Sequence, residues 1–375
     1  MKKKVLLFVP SLRRGGGAEK VASKLSFYLS ENYEVFILTL FDFKKKNDHA
    51  GKYHSLKMKY FIIEFIPDII RIKAIISLLN PDLIITFMNK TSFIIIPMKY
   101  IFNIKIPLVV CMNSNPNLQY QKRVYGKIFL KLFYNLNRLQ VIIPVSKDLK
   151  KILIEKYGIN SNKIITIYNG LNISEIREKA KKPIEQYKEL FESNNYYRFI
   201  SMGRLSPEKG FHVLIEGFKR TLKKIPNGIL LIIGDGPQKE SLKKLIYKND
   251  LDKKVFLLGF KENPYKYMKR ADTFILSSFN EVLPYSLIEA LVCRLPVIST
   301  DCQTGPREIL EDGKYGLLVE VGNGMELSEK MILLATNKKL REHFIGKAQE
   351  KIFDFKDDIS KKKWNLLASY LLGTD

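Results

Sequence analysis

Short apolar, β-branched runs alternate along the chain with longer stretches whose apolar positions recur at helical spacing. In the first half the runs are Val5–Val9, Glu34–Leu40, Asp82–Phe87, Leu108–Asn113, Val141–Ser146 and Ile164–Asn169. This alternation is the signature of a parallel sheet with covering helices. The rhythm stops between Gly170 and Tyr197, a polar stretch with Pro183 and Asn194-Asn195 that reads as helix plus linker. It restarts with Arg198–Gly203, Gly228–Gly236, Val255–Phe260, Thr273–Ser278, Pro296–Asp301 and Gly316–Val321. The pattern predicts an α/β chain of two doubly wound Rossmann-like domains, residues 1–175 and 185–358, facing across a cleft. From Ser328 the text is helical, and the segment from about 360 to 375 is expected to pack back on the first domain.

Composition removes other classes. A chain of 375 residues with 46% hydrophobic and 27% charged positions fits two globular domains. Cys111, Cys293 and Cys302 form neither a disulfide framework nor a C-x-x-C pair, which points to a reducing compartment. The start, Lys2-Lys3-Lys4 before Val5–Val9, has the polarity of a signal peptide, but the apolar run is short and Arg13-Arg14 follows. Phe61–Leu79 is broken by Glu64, Asp68, Arg71 and Lys73, and Ser92–Met112 by Lys99 and Lys105. No transmembrane helix is therefore expected.

The formal charge of +25 is unevenly spread. Residues 1–180 hold 30 Lys+Arg against 12 Asp+Glu, a net of +18; the remainder holds only +7. A surface this basic suits nucleic acid, an anionic membrane or a phosphorylated substrate. In Gln121–Leu139, Tyr125, Ile128, Phe129, Leu132 and Phe133 fall at helical spacing beside Lys122, Arg123, Lys127 and Lys131. Such a helix suits the headgroup boundary of an acidic membrane, although a helix covering its own sheet has the same apolar stripe. The expected location is cytoplasmic, peripheral on the inner face of the cell membrane.

Candidate chemistry starts at Gly15-Gly16-Gly17-Ala18-Glu19, which follows the first strand and opens a helix containing Val21, Leu25 and Leu29. Glycine lets the backbone approach a ligand, and a helix N-terminus suits an anion. The spacing is wrong for a dinucleotide fingerprint. In the second half, Gly203-Arg204-Leu205-Ser206-Pro207-Glu208-Lys209-Gly210 links a strand to a helix. Arg204 as a fork and Lys209 as a point charge can converge there on a diphosphate. The segment Ser277–Glu289 carries the strongest signal. Glu281 ends a loop, Pro284 suits a first helical turn, and the amides of Tyr285, Ser286 and Leu287 would point toward the same site. Glu289, among Leu287, Ile288, Ala290 and Leu291, needs a partner, either ribose hydroxyls or a neighbouring backbone group or lysine.

The order Gly-Gly-Ala-Glu, Gly-Arg-Leu-x-x-x-Lys-Gly, Gly-Asp-Gly-Pro at 234–237, then Glu281 and Glu289, resembles a family-4 retaining glycosyltransferase of the GT-B fold. The resemblance implies that the second domain holds a nucleotide sugar, with UDP the expected nucleotide. Arg204 and Lys209 would then meet the diphosphate, Glu289 the ribose and Glu281 the transferred sugar, while the Gly16–Gly17 loop closes from the first domain. Thr300–Glu308 is similar to a subgroup that builds bacterial surface and lipid-linked glycans, so a glycan or lipid-linked acceptor is expected. Two departures stand out. Val282 replaces a frequent glycine, and Asn113 stands near where relatives often have a histidine; Asn113 can bind a sugar hydroxyl but cannot titrate. The leaving diphosphate can itself take the acceptor proton, so neither a metal nor a cofactor is expected. His49, His54, His212 and His343 lie outside the motifs. A nucleotide-sugar isomerase would use the same donor site. Nucleic-acid binding would leave Glu281 and Glu289 unexplained.

Overall fold

Runs of apolar residues too long to face water on either side must be covered twice, and the computed structural model places them as the central strands of two parallel sheets. It describes residues 2–13, 17–44, 46–58, 65–116 and 124–374. The chain divides into two units, one of residues 1–170 with 358–375 and one of residues 171–357.

In the first unit the strands are β1 (Lys4–Val9), β2 (Glu34–Thr39), β3 (Lys52–Ser55), β4 (Leu83–Phe87), β5 (Leu108–Met112) and β6 (Val141–Pro144). All are parallel, in the order β3-β2-β1-β4-β5-β6. The chain winds from β1 outward to β3, then returns to place β4 on the other side of β1. One sheet face is covered by helices Gly17–Ser30 and Asp357–Leu372, whose Leu25, Leu29, Trp364, Leu367 and Ala368 share a core with Val5, Leu7, Val35 and Ile37. The terminal helix thus completes this unit.

Two sequence expectations change here. Ile164–Asn169 is not a strand: Ile164 makes one parallel bridge to Ile142, and Lys150 Nζ then takes the Ile164 carbonyl at 3.0 Å. The sixth strand is instead β3, an exposed edge of Lys52, Tyr53, His54 and Ser55 with no apolar run to announce it. The first unit also ends at Gly170 rather than after 175. The Leu171 amide donates to Phe355 O at 2.8 Å and the Asp357 amide to Leu171 O at 3.0 Å, which ties residue 171 into the second unit.

The second unit contains β7 (Tyr197–Met202), β8 (Gly228–Ile233), β9 (Val255–Gly259), β10 (Thr273–Leu276), β11 (Val297–Thr300) and β12 (Leu317–Val319). Their order is β12-β11-β10-β7-β8-β9, again all parallel. Phe199, Leu230, Ile232, Ile275 and Ile298 pack with Phe211, Leu214, Phe218 and Met331. The winding direction reverses between β7 and β10. In an open α/β sheet, ligands bind beyond the carboxyl ends of strands at such a reversal.

Candidate active site

The loops leaving β7 and β10 are bonded to one another. Ser277 Oγ donates to Lys209 O at 2.9 Å, and the Phe279 amide donates to Glu208 O at 2.8 Å. Between them lies Gly210, at φ +63°, where an added Cβ would sit 2.1 Å from Ser277 O. A glycine is therefore required for the two loops to meet.

This contact sets Lys209 Nζ 2.6 Å from Glu281 Oε1, with side-chain exposures of 22% and 10%. Ser278 Oγ donates to the same oxygen at 2.7 Å. Arg204, on the same loop as Lys209, is exposed. Burial alone would raise the Glu208 carboxyl, but a hydrogen bond from Ser206 Oγ at 2.5 Å and the charges of Lys209 and Arg204 hold it below its usual value. The loop is thus a patch of paired charges with one cation turned to solvent.

The segment after β11 braces Glu281 from behind. Thr300 Oγ1 donates to Ser278 O at 2.6 Å, and Thr304 Oγ1 donates to Glu281 O. Asp301 is held by the Arg307 guanidinium, whose Nε lies 3.0 Å from Asp301 Oδ1. Val282 needs no left-handed backbone to stand where a glycine is frequent.

Pro284 precedes the helix Tyr285–Val292. Ser286 is half-buried in its first turn, and Leu287 is fully buried. The Leu287 amide donates back to Pro284 O at 3.1 Å, so it is not among the donors available to a bound anion. One turn in, half-buried Glu289 accepts a hydrogen bond at Oε1 from Tyr265 Oη, 2.9 Å away. Burial, then the Glu289 charge, pushes the Tyr265 hydroxyl far above its usual range. Burial and Glu289 also raise the Cys293 thiol to about 12. The sequence offered Glu289 ribose hydroxyls, a backbone group or a lysine; the tyrosine bonded to it was not among them.

In the first unit, Gly17 opens the helix Gly17–Ser30, and an added Cβ there would meet nothing within 4 Å. Gly16 lies outside the described residues. Glu19 accepts from Ser11 Oγ at 3.2 Å. Asn113 follows β5, and both polar atoms of its amide are buried without a hydrogen-bond partner among the described residues. A buried amide left so is costly, which marks the end of β5 as a place for a polar ligand. His212 stacks on Phe279, ring centroids 5.6 Å apart, and so packs against the β10 loop.

Sequence reasoning missed Ser278, Thr304 and Tyr265. Ser278 and Thr304 lie inside segments that were singled out, while Tyr265 lies 24 residues from Glu289 with no local spacing to link them. Among the described residues no group of three His, Cys, Asp or Glu is placed to hold a metal ion. Among them, too, no helix is long and apolar enough to cross a membrane.

Residues 15–175 match the family model "Glycosyltransferase Family 4" and residues 184–351 the model "Glycosyl transferases group 1". An uncharacterized glycosyltransferase of Methanocaldococcus jannaschii is 33% identical over 92% of this chain and 91% of its own length. The N-acetylgalactosamine-N,N'-diacetylbacillosaminyl-diphospho-undecaprenol 4-alpha-N-acetylgalactosaminyltransferase of Campylobacter jejuni is 30% identical over 94% of this chain and 96% of its own. Among solved structures, Anabaena HepE in complex with UDP and glucose superimposes with a TM-score of 0.81 at 19% identity, covering 97% of this chain and 99% of that one. Two parallel α/β units, a paired-charge site at the reversal of the second sheet and relatives over nearly the whole length lead to one conclusion: the chain belongs to the family-4 glycosyltransferases of the GT-B fold.

Proposed function

We propose that this glycosyltransferase takes its sugar from a UDP-sugar and transfers it, with retention at the anomeric carbon and without a metal, to a hydroxyl of a lipid-linked glycan during surface-polysaccharide assembly. The observation that carries the reading is the Lys209–Glu281–Ser278 cluster, followed by Glu289 one turn into the next helix, on the loops that leave the sheet at its reversal, where open α/β sheets bind ligands. The Campylobacter relative is named for transfer to a diphospho-undecaprenol-linked sugar, and HepE was crystallised with UDP and with glucose. Both support the donor and acceptor classes.

In this reading Arg204 and Lys209 meet the diphosphate, Glu289 accepts from the ribose, and Glu281 faces the transferred sugar. The bond from the anomeric carbon to the diphosphate oxygen breaks, the acceptor oxygen bonds to that carbon on the same face, and its proton passes to the departing diphosphate. Arg204 and Lys209 stabilise the negative charge that grows there. Glu281 offsets the charge of Lys209 and keeps the resting cluster close to neutral. Pro284, Tyr285 and Ser286 shape the wall beside the diphosphate, and in the first unit Asn113 offers its amide to a sugar hydroxyl.

The test is a panel of nucleotide sugars, scored first by thermal stabilisation and then by turnover with and without a lipid-linked acceptor in the presence of a chelator. A ligand that binds only the folded state raises its apparent stability. A UDP-sugar should stabilise most, and product should form only with acceptor, with the donor's anomeric configuration by NMR. Inverted product, or loss of activity to the chelator, overturns the mechanism. Conversion of the donor without acceptor makes the chain an isomerase.

A further inference from the structure

Tyr265 opens the short helix Tyr265–Met268 in the connection after β9. Its hydroxyl reaches 2.9 Å to Glu289 Oε1 on a different helix. Leu287, Ile288, Ala290 and Leu291 around Glu289 are all buried, so the carboxylate has few ways to turn without leaving its partner. The tyrosine is anchored in turn: the Lys269 amide donates to Tyr265 O at 2.9 Å, and Asn263 Nδ2 in the same connection donates to Lys179 O at 2.8 Å. Because burial and the adjacent Glu289 charge oppose ionisation of the phenol, Tyr265 only donates in this bond. A carboxylate offers about four acceptor positions, and a donor held on one oxygen restrains the plane of the group.

Resting on the reading of Glu289 as the ribose ligand, we propose that Tyr265 is a positioning residue that orients the Glu289 carboxylate toward a vicinal ribose diol, and so sets the preference for ribo- over 2′-deoxyribonucleotides. A carboxylate free to rotate makes one hydrogen bond to a diol at a time. One held in plane meets both hydroxyls at once, and the second bond is what a 2′-deoxy ligand lacks.

The experiment measures dissociation constants of UDP and 2′-deoxy-UDP, with melting temperatures, for the full chain and for Tyr265→Phe, Glu289→Gln and the double variant. Tyr265→Phe should weaken UDP about tenfold, the scale of one hydrogen bond to a charged group. It should weaken 2′-deoxy-UDP much less, so that the preference narrows. The double variant should bind no worse than Glu289→Gln alone. Tyr265→His, which returns a ring N–H, should restore part of the preference, and it provides the readout if the Phe variant is too unstable to purify. Unchanged UDP affinity and preference in Tyr265→Phe, with only the melting temperature lowered, would overturn the inference and leave the ribose reading standing. Unchanged UDP affinity in Glu289→Gln would remove the ribose reading and this inference with it.

Discussion

Lys209 and Glu281 are mostly buried and 2.6 Å apart, so removing either leaves the other's charge uncompensated. Arg204 is exposed and carries no such obligation. The two cations of one loop should therefore separate in their response to alanine. Both variants should lose on the order of a hundredfold in turnover, the scale of one preorganised charge contact. Only Lys209→Ala should also lower the melting temperature, and Glu281→Ala should match it there while leaving affinity for UDP nearly intact. Equal melting temperatures for all three would mean that the pair does not hold the site. The pairing was only partly legible in the sequence: the spacing of the motifs named all three residues, but nothing local shows that Lys209 rests on Glu281, since 72 residues separate them. A second buried charge belongs to the other unit. Lys99 is 1% exposed, its Nζ donates to the Ile106 carbonyl, and burial, helped by the Arg138 charge, lowers it to about 8. The unfolded chain keeps that proton up to about its ordinary 10.5, so between these values it binds more protons than the folded chain, and stability rises with pH. Urea unfolding of wild type and Lys99→Met, compared from pH 8 to 10.5, should show the wild type gaining on the order of 3 kcal/mol relative to the variant. A flat difference would mean that Lys99 titrates normally.

Elements were legible where burial leaves a strong pattern and illegible where it does not. The central strands β1, β4, β5, β8 and β11 are buried almost end to end, and their apolar runs announced them. At the sheet edge the same pattern fails in both directions, because β3 needs only backbone pairing with β2 while the apolar Ile164–Asn169 makes a single bridge. The loops of the site are a different case, since they are fixed by backbone geometry rather than by apolar pattern. Gly210 ends the turn Pro207–Lys209, starts the helix Phe211–Thr221 and touches the β10 loop, all at a positive φ. Gly210→Ala should cost about 2 kcal/mol or more, because strain at φ and the 2.1 Å approach to Ser277 O act together. It should also weaken UDP by displacing the loop that carries Arg204 and Lys209, although residue 210 has no side chain to contact a ligand. Loss of stability with unchanged UDP affinity would show that the loop contact does not position the charges.

For the molecule as a whole, the +18 of residues 1–180 suits an anionic partner, and we propose that an acidic membrane is that partner. Helices Phe65–Leu79, Met88–Ile101 and Val124–Phe133 lie side by side in that unit. The helix Val124–Phe133 buries Leu130, and Tyr134 just beyond it is buried as well. Even so, it leaves Ile128 and Leu132 49% and 59% exposed, beside exposed Lys127 and Lys131. Its neighbours add exposed Ile70, Leu78 and Ile101, and Lys73 and Lys105 of the same stretches are exposed too. Gln121–Arg123, and the side chains of Tyr125 and Phe129, fall outside the described residues. A helix covering a sheet accounts for the inward positions and not for the outward ones. An apolar ridge flanked by lysines suits the headgroup region of an acidic bilayer, where a lipid-linked acceptor would also be found. In vesicle co-sedimentation, binding should require acidic lipid and weaken as salt rises. Changing Lys122, Arg123, Lys127 and Lys131 to Gln should abolish the lipid selectivity, whereas Ile128→Gln with Leu132→Gln should weaken binding at every salt concentration. Neither set should alter transfer to a short water-soluble acceptor, because none of these residues has a part in the donor site. Equal pelleting with neutral and acidic vesicles, or indifference to both sets of changes, would assign the charge of this unit to the phosphates of the acceptor rather than to the membrane.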